Sequence, residues 1–245
     1  MIKNALVVGG ANGIGLSIAL SLAEKQSCEK IYVVDKVQVD DKNRHKKIKS
    51  LVFDLTETNY DFFDQFNDIN ALFITAGFGK LALFKDIDEN YIINSFNVNT
   101  VAALRIIHRF YERIHANEDF YACVMVSIAG FISSPFFSVY GASKAALKIF
   151  IESVNVELLK SGTTNRILNV SPGSIKGTSF YNKETHLATL KQLTGEIIHH
   201  TESKHDLFIP QYDSIFKNVL ERYNLDFRAE GIHSYKYKQK LLNQR

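Results

Sequence analysis

Short runs of apolar residues recur along the chain up to residue 170 and do not alternate with polar residues as a half-exposed strand would. Strands that are buried on both faces have this pattern, which is typical of a parallel sheet covered by helices on each side. The predicted strands are residues 5–8, 31–34, 50–53, 71–74, 122–126 and 166–170.

Between these runs, the apolar positions take the 3.6-residue spacing of an amphipathic helix. Helices are predicted over residues 14–25, 89–115 and 139–160. Strands that alternate with helices and are joined by right-handed crossovers form a doubly wound parallel sheet of the α/β class. Because no repeat or linker divides the sequence, we predict a single domain over residues 1–245.

The pattern changes after about residue 178. No strand is predicted from there to the end, and residues 212–223 have helical spacing, so residues 207–245 are expected to form a helical C-terminal segment with a basic tail. The tail, residues 233–245, contains no acidic residue. We expect it to be solvated or loosely packed, as chain ends commonly are, and an arm that binds a partner is the alternative.

Composition narrows the classes of partner and compartment. The 29 basic and 26 acidic residues leave a net charge of +3, which is too small and too evenly spread to predict nucleic acid or a membrane as the main partner. A small-molecule ligand is expected instead. The two cysteines, Cys28 and Cys123, form no CxxC pair, which favours a reducing compartment, and a cytoplasmic protein is predicted.

Two features of the sequence have alternative interpretations. Residues 5–23 carry no charge and resemble a signal or anchor segment, but Asn12 and four glycines near the middle favour a strand, a loop and a helix in turn. The histidines His199, His200 and His205 lie close together without cysteines or carboxylates at ligand spacing. We therefore predict a polar surface there and no metal site.

Four glycines, Gly9, Gly10, Gly13 and Gly15, follow the first predicted strand and lead into the first helix. Glycine permits a tight turn and lets a pyrophosphate approach backbone N–H groups without a Cβ in the way, and a helix N-terminus adds a positive dipole end. A glycine-rich turn that only ends the strand is the alternative. The spacing predicts a dinucleotide-binding loop, in which Gly10 lies at an unconstrained position.

Acidic residues follow the second and third predicted strands. Asp35 lies 20 residues after Gly15, where a carboxylate accepts hydrogen bonds from the adenosine ribose. Its charge would repel the 2′-phosphate of NADP, so NAD is favoured, although the neighbouring Lys36 could partly accommodate that phosphate. Asp54 could bind the adenine amino group, and a turn or N-cap acid is the alternative.

Tyr140 and Lys144 stand four residues apart in a predicted helix, on one face and within reach of each other. A phenol is a poor base at neutral pH, but a nearby ammonium stabilises the phenolate and lowers its pKa. The pair therefore indicates a tyrosine general acid/base tuned by a cation. A surface tyrosine and lysine on a helix are the alternative.

Over residues 1 to about 178, the chain resembles the short-chain dehydrogenase/reductase family. In that family a glycine motif is followed, in order, by NNAG, a helix asparagine, a serine, the YxxxK pair and a PG motif. The matching positions here are Gly9, Gly13 and Gly15, then Asn99, then Ser127 (13 residues before Tyr140), then Tyr140 and Lys144, then Pro172 and Gly173.

The resemblance implies a Rossmann fold that binds NAD, or less favourably NADP, and hydride transfer between that cofactor and a secondary alcohol or ketone. It implies that Ser127 binds the substrate oxygen, that Tyr140 acts as general acid/base, and that Lys144 holds the phenolate and the nicotinamide ribose. Asn99 would order a water that connects Lys144 to solvent. The implied cofactor contacts are Gly9, Asn12, Gly13, Ile14, Gly15, Asp35, Lys36, Asp54, Leu55, Ala76, Gly77, Tyr140, Lys144, Pro172, Gly173, Ile175 and Thr178.

The chain departs from the family pattern at three places. Val8 replaces the usual threonine, and Ile74 and Thr75 replace the asparagines of NNAG, so we expect weaker tethers between strand and loop. Thr178 comes one residue later than the threonine that usually follows PG, which makes its bond to the carboxamide less secure. The usual C-terminal strand is not recognisable, so a seventh strand and a tetramer built on that edge are doubtful.

Aromatic residues flank the predicted catalytic group. Phe131, Phe136, Phe137 and Phe180, with Tyr181, predict an apolar substrate wall, and core packing is the alternative. Residues 174–206 are the predicted substrate lid. In the family, the helices around Asn99 and after Tyr140 pair between subunits, which implies a homodimer, with a tetramer possible.

Three functions follow from these residues. The first is an NAD-dependent dehydrogenase or reductase acting on a hydrophobic secondary alcohol or ketone. The second is an NADP-dependent ketoreductase of the 3-oxoacyl-carrier type. The third is a dinucleotide-binding sensor or scaffold without catalysis, against which the joint presence of Ser127, Tyr140 and Lys144 argues.

Overall fold

The computed structural model describes residues 1–175 and 186–243. Its centre is a parallel sheet of seven strands in the order β3-β2-β1-β4-β5-β6-β7, as the sequence predicted for a doubly wound fold. The strands are β1 (Asn4–Val8), β2 (Lys30–Asp35), β3 (Ile48–Val52), β4 (Ala71–Ile74), β5 (Tyr121–Met125), β6 (Ile167–Val170) and β7 (Leu207–Phe208).

Helices cover both faces of this sheet because its strands are apolar on both sides. The helices are α1 (Gly13–Glu24), α2 (Glu89–Phe96), α3 (Ala102–His115), α4 (Ser138–Ser161), α5 (Leu187–Glu202), α6 (Lys217–Leu225) and α7 (Phe227–Asn243). A π-helical turn, Asn97–Val101, joins α2 to α3, and a second, Tyr212–Phe216, precedes α6. The first three predicted helices are confirmed, apart from the π turn within residues 89–115.

Two buried clusters fill the space between sheet and helices. On one face, Ile106 of α3 and Leu147 and Ile151 of α4 pack on alternate residues of the central strands. On the other, Leu16 and Leu22 of α1 pack with the remaining residues of the same strands. Residues 5–23 are therefore a core strand, a loop and a core helix, as predicted. None of the described helices is long and apolar enough to cross a membrane.

The C-terminal third corrects two predictions. The prediction of no strand after residue 178 is wrong, because β7 pairs in parallel with β6, with Asn169 opposite Leu207. Two residues are too few to form a recognisable apolar run. The predicted lid over residues 174–206 is wrong for residues 187–202, which form α5 with Leu190 and Ile197 fully buried. Thr194 of α5 also bonds Ser17 of α1, so this helix covers the sheet.

The basic tail is helical and, as expected, solvated. Residues 233–243 belong to α7, which forms a hairpin with α6, and none of the tail side chains that the structure describes is buried. The hairpin is fixed by Arg222, whose Nε donates to Oε2 of Glu230 at 2.7 Å, and by Asp226, which accepts hydrogen bonds from the first backbone N–H groups of α7. Glu230 is only 8% exposed, and the ion pair with Arg222 offsets the cost of burying its carboxylate.

Candidate active site

The glycine loop lies between β1 and α1 and packs against the residues that follow β4. Gly9 has a φ of +83°, and a Cβ there would overlap the backbone of Ala76. A Cβ on Gly15 would overlap the carbonyl oxygen of Gly9 and Oγ1 of Thr75. Glycine is required at both positions because neighbouring atoms leave no space for a methyl group, and at Gly9 also because the chain turns through a left-handed conformation.

The remaining two glycines differ from each other. The prediction that Gly10 is unconstrained is wrong, because a Cβ there would lie 2.9 Å from Cγ1 of Val33 and 3.0 Å from Cγ1 of Val7. Gly13 has a φ of +57°, and its Cβ would point into open space. Gly13 therefore serves the backbone turn, whereas Gly10 lets the loop lie close on the sheet.

Thr75 connects the end of β4 to the glycine loop, where weaker tethers were expected. Its Oγ1 lies 3.0 Å from the carbonyl oxygens of both Val8 and Gly9, and its backbone N–H donates to Val8 at 2.8 Å. One hydroxyl therefore joins the end of β4 to the glycine loop, so a tether is present at this position. That it is weaker than the tether made by an asparagine stays a prediction.

The N-terminus of α1 faces the loop and can hold an anion. The helix begins at Gly13 after Asn12 at the N-cap, and its first turn contains no acidic side chain. Free N–H groups and the positive end of the helix dipole therefore lie where the four glycines leave room for a ligand. This arrangement fits the pyrophosphate of a dinucleotide.

Asp35 ends β2 beside this loop. Its Oδ2 accepts a hydrogen bond from the backbone N–H of Ala11 at 3.0 Å, and its Oδ1 accepts one from the backbone N–H of Lys36 at 2.7 Å. The carboxylate is therefore fixed against the glycine loop, and each oxygen retains a lone pair for a ribose hydroxyl. Lys36 is exposed at the same edge.

Asp54 has the role of a turn acid. Its Oδ1 accepts from both the backbone N–H and the hydroxyl of Thr56, at 2.8 Å each, and these bonds lower the pKa of the carboxyl. The alternative that the sequence left open is thus confirmed. Contacts of Asp54 and of Leu55, which follows it, with adenine stay predictions.

Lys144 is a buried lysine at the carboxyl end of β5. It is 2% exposed, and its Nζ donates to the carbonyl oxygen of Met125 at 2.8 Å. Burial lowers the pKa of this ammonium to about 7. Tyr140 lies one turn earlier on α4, with its ring centroid 5.9 Å from Nζ, so the predicted pair does share one helix face.

Ser127 lies where β5 ends, next to the PG motif after β6. Its Oγ accepts from the backbone N–H of Ala129 at 3.1 Å and lies 3.5 Å from the carbonyl oxygen of Pro172. The backbone N–H of Ile128 also donates to that carbonyl, at 3.0 Å. The serine and the PG motif are thereby brought together, although 45 residues separate Ser127 from Pro172 in the chain.

Asn99 lies in the π-helical turn between α2 and α3, and is 1% exposed. Its Oδ1 accepts from the N–H of Phe78, and its Nδ2 donates to the Phe78 carbonyl, both at 2.9 Å, and to Ser143 of α4 at 3.1 Å. A Cβ at Gly77 would lie 3.2 Å from both Asn99 Oδ1 and Lys144 Nζ. Asn99 thus borders the lysine and locks the loop after β4, and its role towards a water stays a prediction.

Only part of the predicted aromatic wall lies in the residues that the structure describes. Phe136 and Phe137 are buried, Phe131 is half-buried, and the Phe137 ring lies 5.6 Å from the Tyr140 ring. Thr178, Phe180 and Tyr181 lie outside the described residues, whereas Ile175 is the last residue described before the gap. Phe136 has a φ of +66°, a strained conformation for a phenylalanine.

The histidines near the end of α5 pack against β7. Nδ1 of His200 lies 2.7 Å from Nδ1 of His205, and the His200 ring stacks on Phe208 at 4.1 Å. Burial lowers the pKa of His200, and its histidine neighbours lower it further. Within the described residues no group of three or more possible metal ligands is present.

Three side chains of the C-terminal segment reach this edge, and sequence reasoning missed them. A Cβ at Gly173 would lie 2.5 Å from Cζ of Phe216. The Tyr235 ring packs on Phe136 at 4.7 Å, and Nζ of Lys238 lies 2.5 Å from Oγ of Ser134. Helical spacing predicted a helix over residues 212–223, but no local pattern shows which surface a terminal helix covers.

Comparison with known proteins agrees with this geometry. The family model for short chain dehydrogenases matches residues 3–187. The chain is 28% identical over 184 residues to the uncharacterized oxidoreductase TDA5 of Saccharomyces cerevisiae, covering 71% of this chain and 56% of that one. It is 27% identical over 169 residues to the dehydrogenase RED2 of Cochliobolus heterostrophus, covering 66% and 63%. The matches thus span less than two thirds of either relative.

Solved structures share the fold at low sequence identity. A short chain dehydrogenase of Burkholderia cenocepacia in complex with NADP has a TM-score of 0.77 at 18% identity, covering 95% of this chain and 97% of that one. A short-chain dehydrogenase of Streptomyces avermitilis has a TM-score of 0.76 at 17% identity, covering 98% of each. With the family model matching most of its length, this chain belongs to the short-chain dehydrogenase family.

Proposed function

We propose that this protein is an NAD(P)-dependent oxidoreductase that transfers a hydride between a nicotinamide cofactor and a secondary alcohol or ketone, with Tyr140 as general acid/base. One observation carries the proposal. Lys144 is a buried lysine whose Nζ is bonded to the end of β5 and which faces the same side of α4 as Tyr140. A binding-only protein has no physical need to bury a lysine beside a phenol at this edge.

The residues around the glycine loop suit a dinucleotide. The loop and the N-terminus of α1 would hold the pyrophosphate, Asp35 the adenosine ribose, and Lys144 the nicotinamide ribose. The remaining predicted contacts, from Ala76, Gly77, Pro172, Gly173 and Ile175, lie along the same carboxyl edge of the sheet. When bound, the nicotinamide supplies or accepts the hydride, whereas the protein supplies alignment and a path for the proton.

NAD is the favoured cofactor because Asp35 is held against the loop by Ala11. A carboxylate fixed there repels a 2′-phosphate and cannot easily swing away. NADP is the alternative, and with it a ketoreductase of the acyl-carrier type. Exposed Lys36 supports that alternative, and solved relatives of the same fold are described as complexes with NADP and NADPH.

The proton transfer would take place at the hydroxyl of Tyr140. In oxidation, the phenolate accepts the proton of the substrate hydroxyl, and in reduction the phenol returns a proton to the carbonyl oxygen. Ser127 would donate a hydrogen bond to the same substrate oxygen. Lys144 would stabilise the phenolate form, because a positive charge beside a phenol lowers its pKa.

The substrate would be hydrophobic and the assembly a cytoplasmic homodimer. Buried Phe136 and Phe137 give the site an apolar side. Ile149, Val156 and Leu159 of α4 are each at least 57% exposed, beside a groove between α3 and α4 that both apolar and charged side chains line. Such a face is typical of a surface that a second subunit covers.

A substrate screen tests the proposed function. The purified chain is incubated with NAD or NADP and a panel of secondary alcohols and ketones, and nicotinamide absorbance is followed. We expect turnover of at least one hydrophobic member by the wild type, and turnover slower by about 10²-fold or more by Tyr140→Phe. Tight cofactor binding without turnover of any member would instead favour the sensor function.

A further inference from the structure

The C-terminal hairpin, residues 212–243, lies on the catalytic edge of the sheet. Its first contact is with the PG motif, where the tip of the Phe216 ring fills the space in front of Gly173. Gly173 follows Pro172, the residue that Ser127 contacts. The ring of Phe216 therefore lies against Gly173, the neighbour of the residue that the predicted substrate-binding serine contacts.

The second contact is with the aromatic loop, residues 131–137, which connects Ser127 to Tyr140. Lys238 of α7 donates from Nζ to Oγ of Ser134 at 2.5 Å and to the carbonyl oxygen of Pro135 at 3.0 Å. The same ammonium lies 5.3 Å from the centroid of the Phe137 ring. Lys238 thus bonds two loop residues and contacts a third through a cation–π interaction.

The loop that is held in this way is strained. Phe136 has a φ of +66°, and its carbonyl oxygen accepts from the backbone N–H of Ala82 at 3.0 Å. Tyr235 of α7 covers its ring. A bulky residue persists in a left-handed conformation only where the surroundings fix it, and α7 supplies one side of those surroundings.

We propose that the C-terminal hairpin is a fixed wall of the substrate site, in which Phe216 limits the size of the substrate beside Gly173 and Lys238 is the positioning residue that fastens the wall to the aromatic loop. This proposal rests on the proposed function, since it specifies the substrate side of that same site. The expected substrates are compact hydrophobic ketones and alcohols. Removing the Phe216 ring opens space in front of the PG motif for a larger group.

The size limit is tested by comparing Phe216→Ala with Phe227→Ala. Phe227 is 47% exposed at the start of α7, so it is a matched phenylalanine of the same hairpin that does not fill the space in front of Gly173. For Phe216→Ala, the ratio of kcat/KM for a bulky aryl ketone to that for a small aliphatic ketone is expected to rise about tenfold or more, as a change of pocket volume produces. Phe227→Ala should leave the ratio at the wild-type value. Equal ratios in both variants would overturn the size limit.

The fastening is tested by Lys238→Met, with exposed Lys236→Met as its control. Methionine keeps the apolar stem and removes the ammonium. We expect a higher KM for every ketone with an unchanged Kd for the cofactor, because the loop beside Tyr140 loses its support while the glycine loop does not. A normal KM in Lys238→Met would contradict the role of Lys238.

A fluorescence measurement separates failure of this proposal from failure of the proposed function. The chain has no tryptophan, so Phe216→Trp introduces a single probe. Adding Lys238→Met should shift its emission to longer wavelength as the wall loosens and the indole meets water, whereas Lys236→Met should not. If Lys238→Met does not change the wavelength of the emission maximum, Lys238 does not hold the wall on the aromatic loop. This result is independent of whether any ketone is turned over.

Discussion

Lys144 and Met125 are joined by a hydrogen bond of 2.8 Å from Nζ to the backbone carbonyl oxygen. The bond ties α4 to the end of β5 and leaves an ammonium in a site where only 2% of the lysine is exposed. A cation so placed costs free energy unless it is solvated or paired. The pairing that the proposed mechanism provides is the phenolate of Tyr140.

Lys144→Met should change the pH dependence of stability. Because burial lowers the pKa of Lys144 from 10.5 to about 7, the unfolded chain binds more protons than the folded chain between these values. The wild-type free energy of unfolding, minus that of the variant, should therefore rise as pH increases from about 7 to 10.5. We expect a rise of at least ~1.4 kcal/mol, the equivalent of one pKa unit.

Urea unfolding of the two proteins at several pH values measures this difference. Lys148→Met, on the same helix with its ammonium paired to Glu152, is the control for the loss of a lysine from α4. A flat difference for Lys144→Met would show that the lysine stays charged in the folded protein.

Asp35→Asn should weaken the preference for NAD. Asparagine retains an oxygen that can accept from Ala11 but removes the charge that opposes a 2′-phosphate. The ratio of the NADP Kd to the NAD Kd is expected to fall on the order of tenfold, as one charge near a phosphate can produce. Isothermal titration measures both constants. Asp41→Asn, at an exposed ion pair with Arg44, should leave the ratio unchanged.

Gly15→Ala and Gly195→Ala should have opposite effects on stability. A methyl group on Gly15 overlaps Gly9 and Thr75, so overpacking should cost about 1–3 kcal/mol and displace the cofactor loop. Gly195 lies inside α5, and no neighbouring atom would lie within 4 Å of a Cβ at this position. Alanine there should therefore add about 0.5–1 kcal/mol to the free energy of unfolding. Thermal unfolding with and without NAD measures both, and a neutral Gly15→Ala would contradict the close approach.

The double variant Ile149→Glu, Val156→Glu should convert the proposed dimer to monomer. The two side chains are 57% and 60% exposed, and they lie seven residues apart on one face of α4. Sedimentation should give about twice the chain mass of 27.8 kDa for the wild type and the single mass for the variant. Leu225→Glu, at a residue 87% exposed on α6, is the control. A wild type that sediments as a monomer contradicts the proposed interface.

The sheet and its covering helices could be predicted from the sequence because their signals are local. The run before Gly9 is apolar over consecutive residues, and the helix containing Tyr140 keeps its apolar spacing for several turns. The pairing of Lys144 with Tyr140 follows from helix geometry alone. Its bond to Met125 does not, because that bond depends on how α4 lies on β5.

Features that join distant parts of the chain could not be predicted in this way. Strand β7 has only two residues, and its pairing with β6 includes a hydrogen bond that the backbone N–H of Asn169 donates to the carbonyl oxygen of Asp206. The hydrogen bond from Thr75 to Val8 joins residues that are 67 positions apart in the sequence. The hydrogen bond from Lys238 to Ser134 joins residues that are 104 positions apart. Helical spacing indicates that a segment buries one face, but not what it covers.

The most direct test of the central claim is the turnover of Tyr140→Phe with a substrate found in the screen. The ring is retained, so the Kd for the cofactor should match that of the wild type, whereas kcat should fall by about 10²–10⁴-fold because the hydroxyl that moves the proton is gone. A variant that binds the cofactor normally and keeps the wild-type kcat would show that Tyr140 is not the general acid/base.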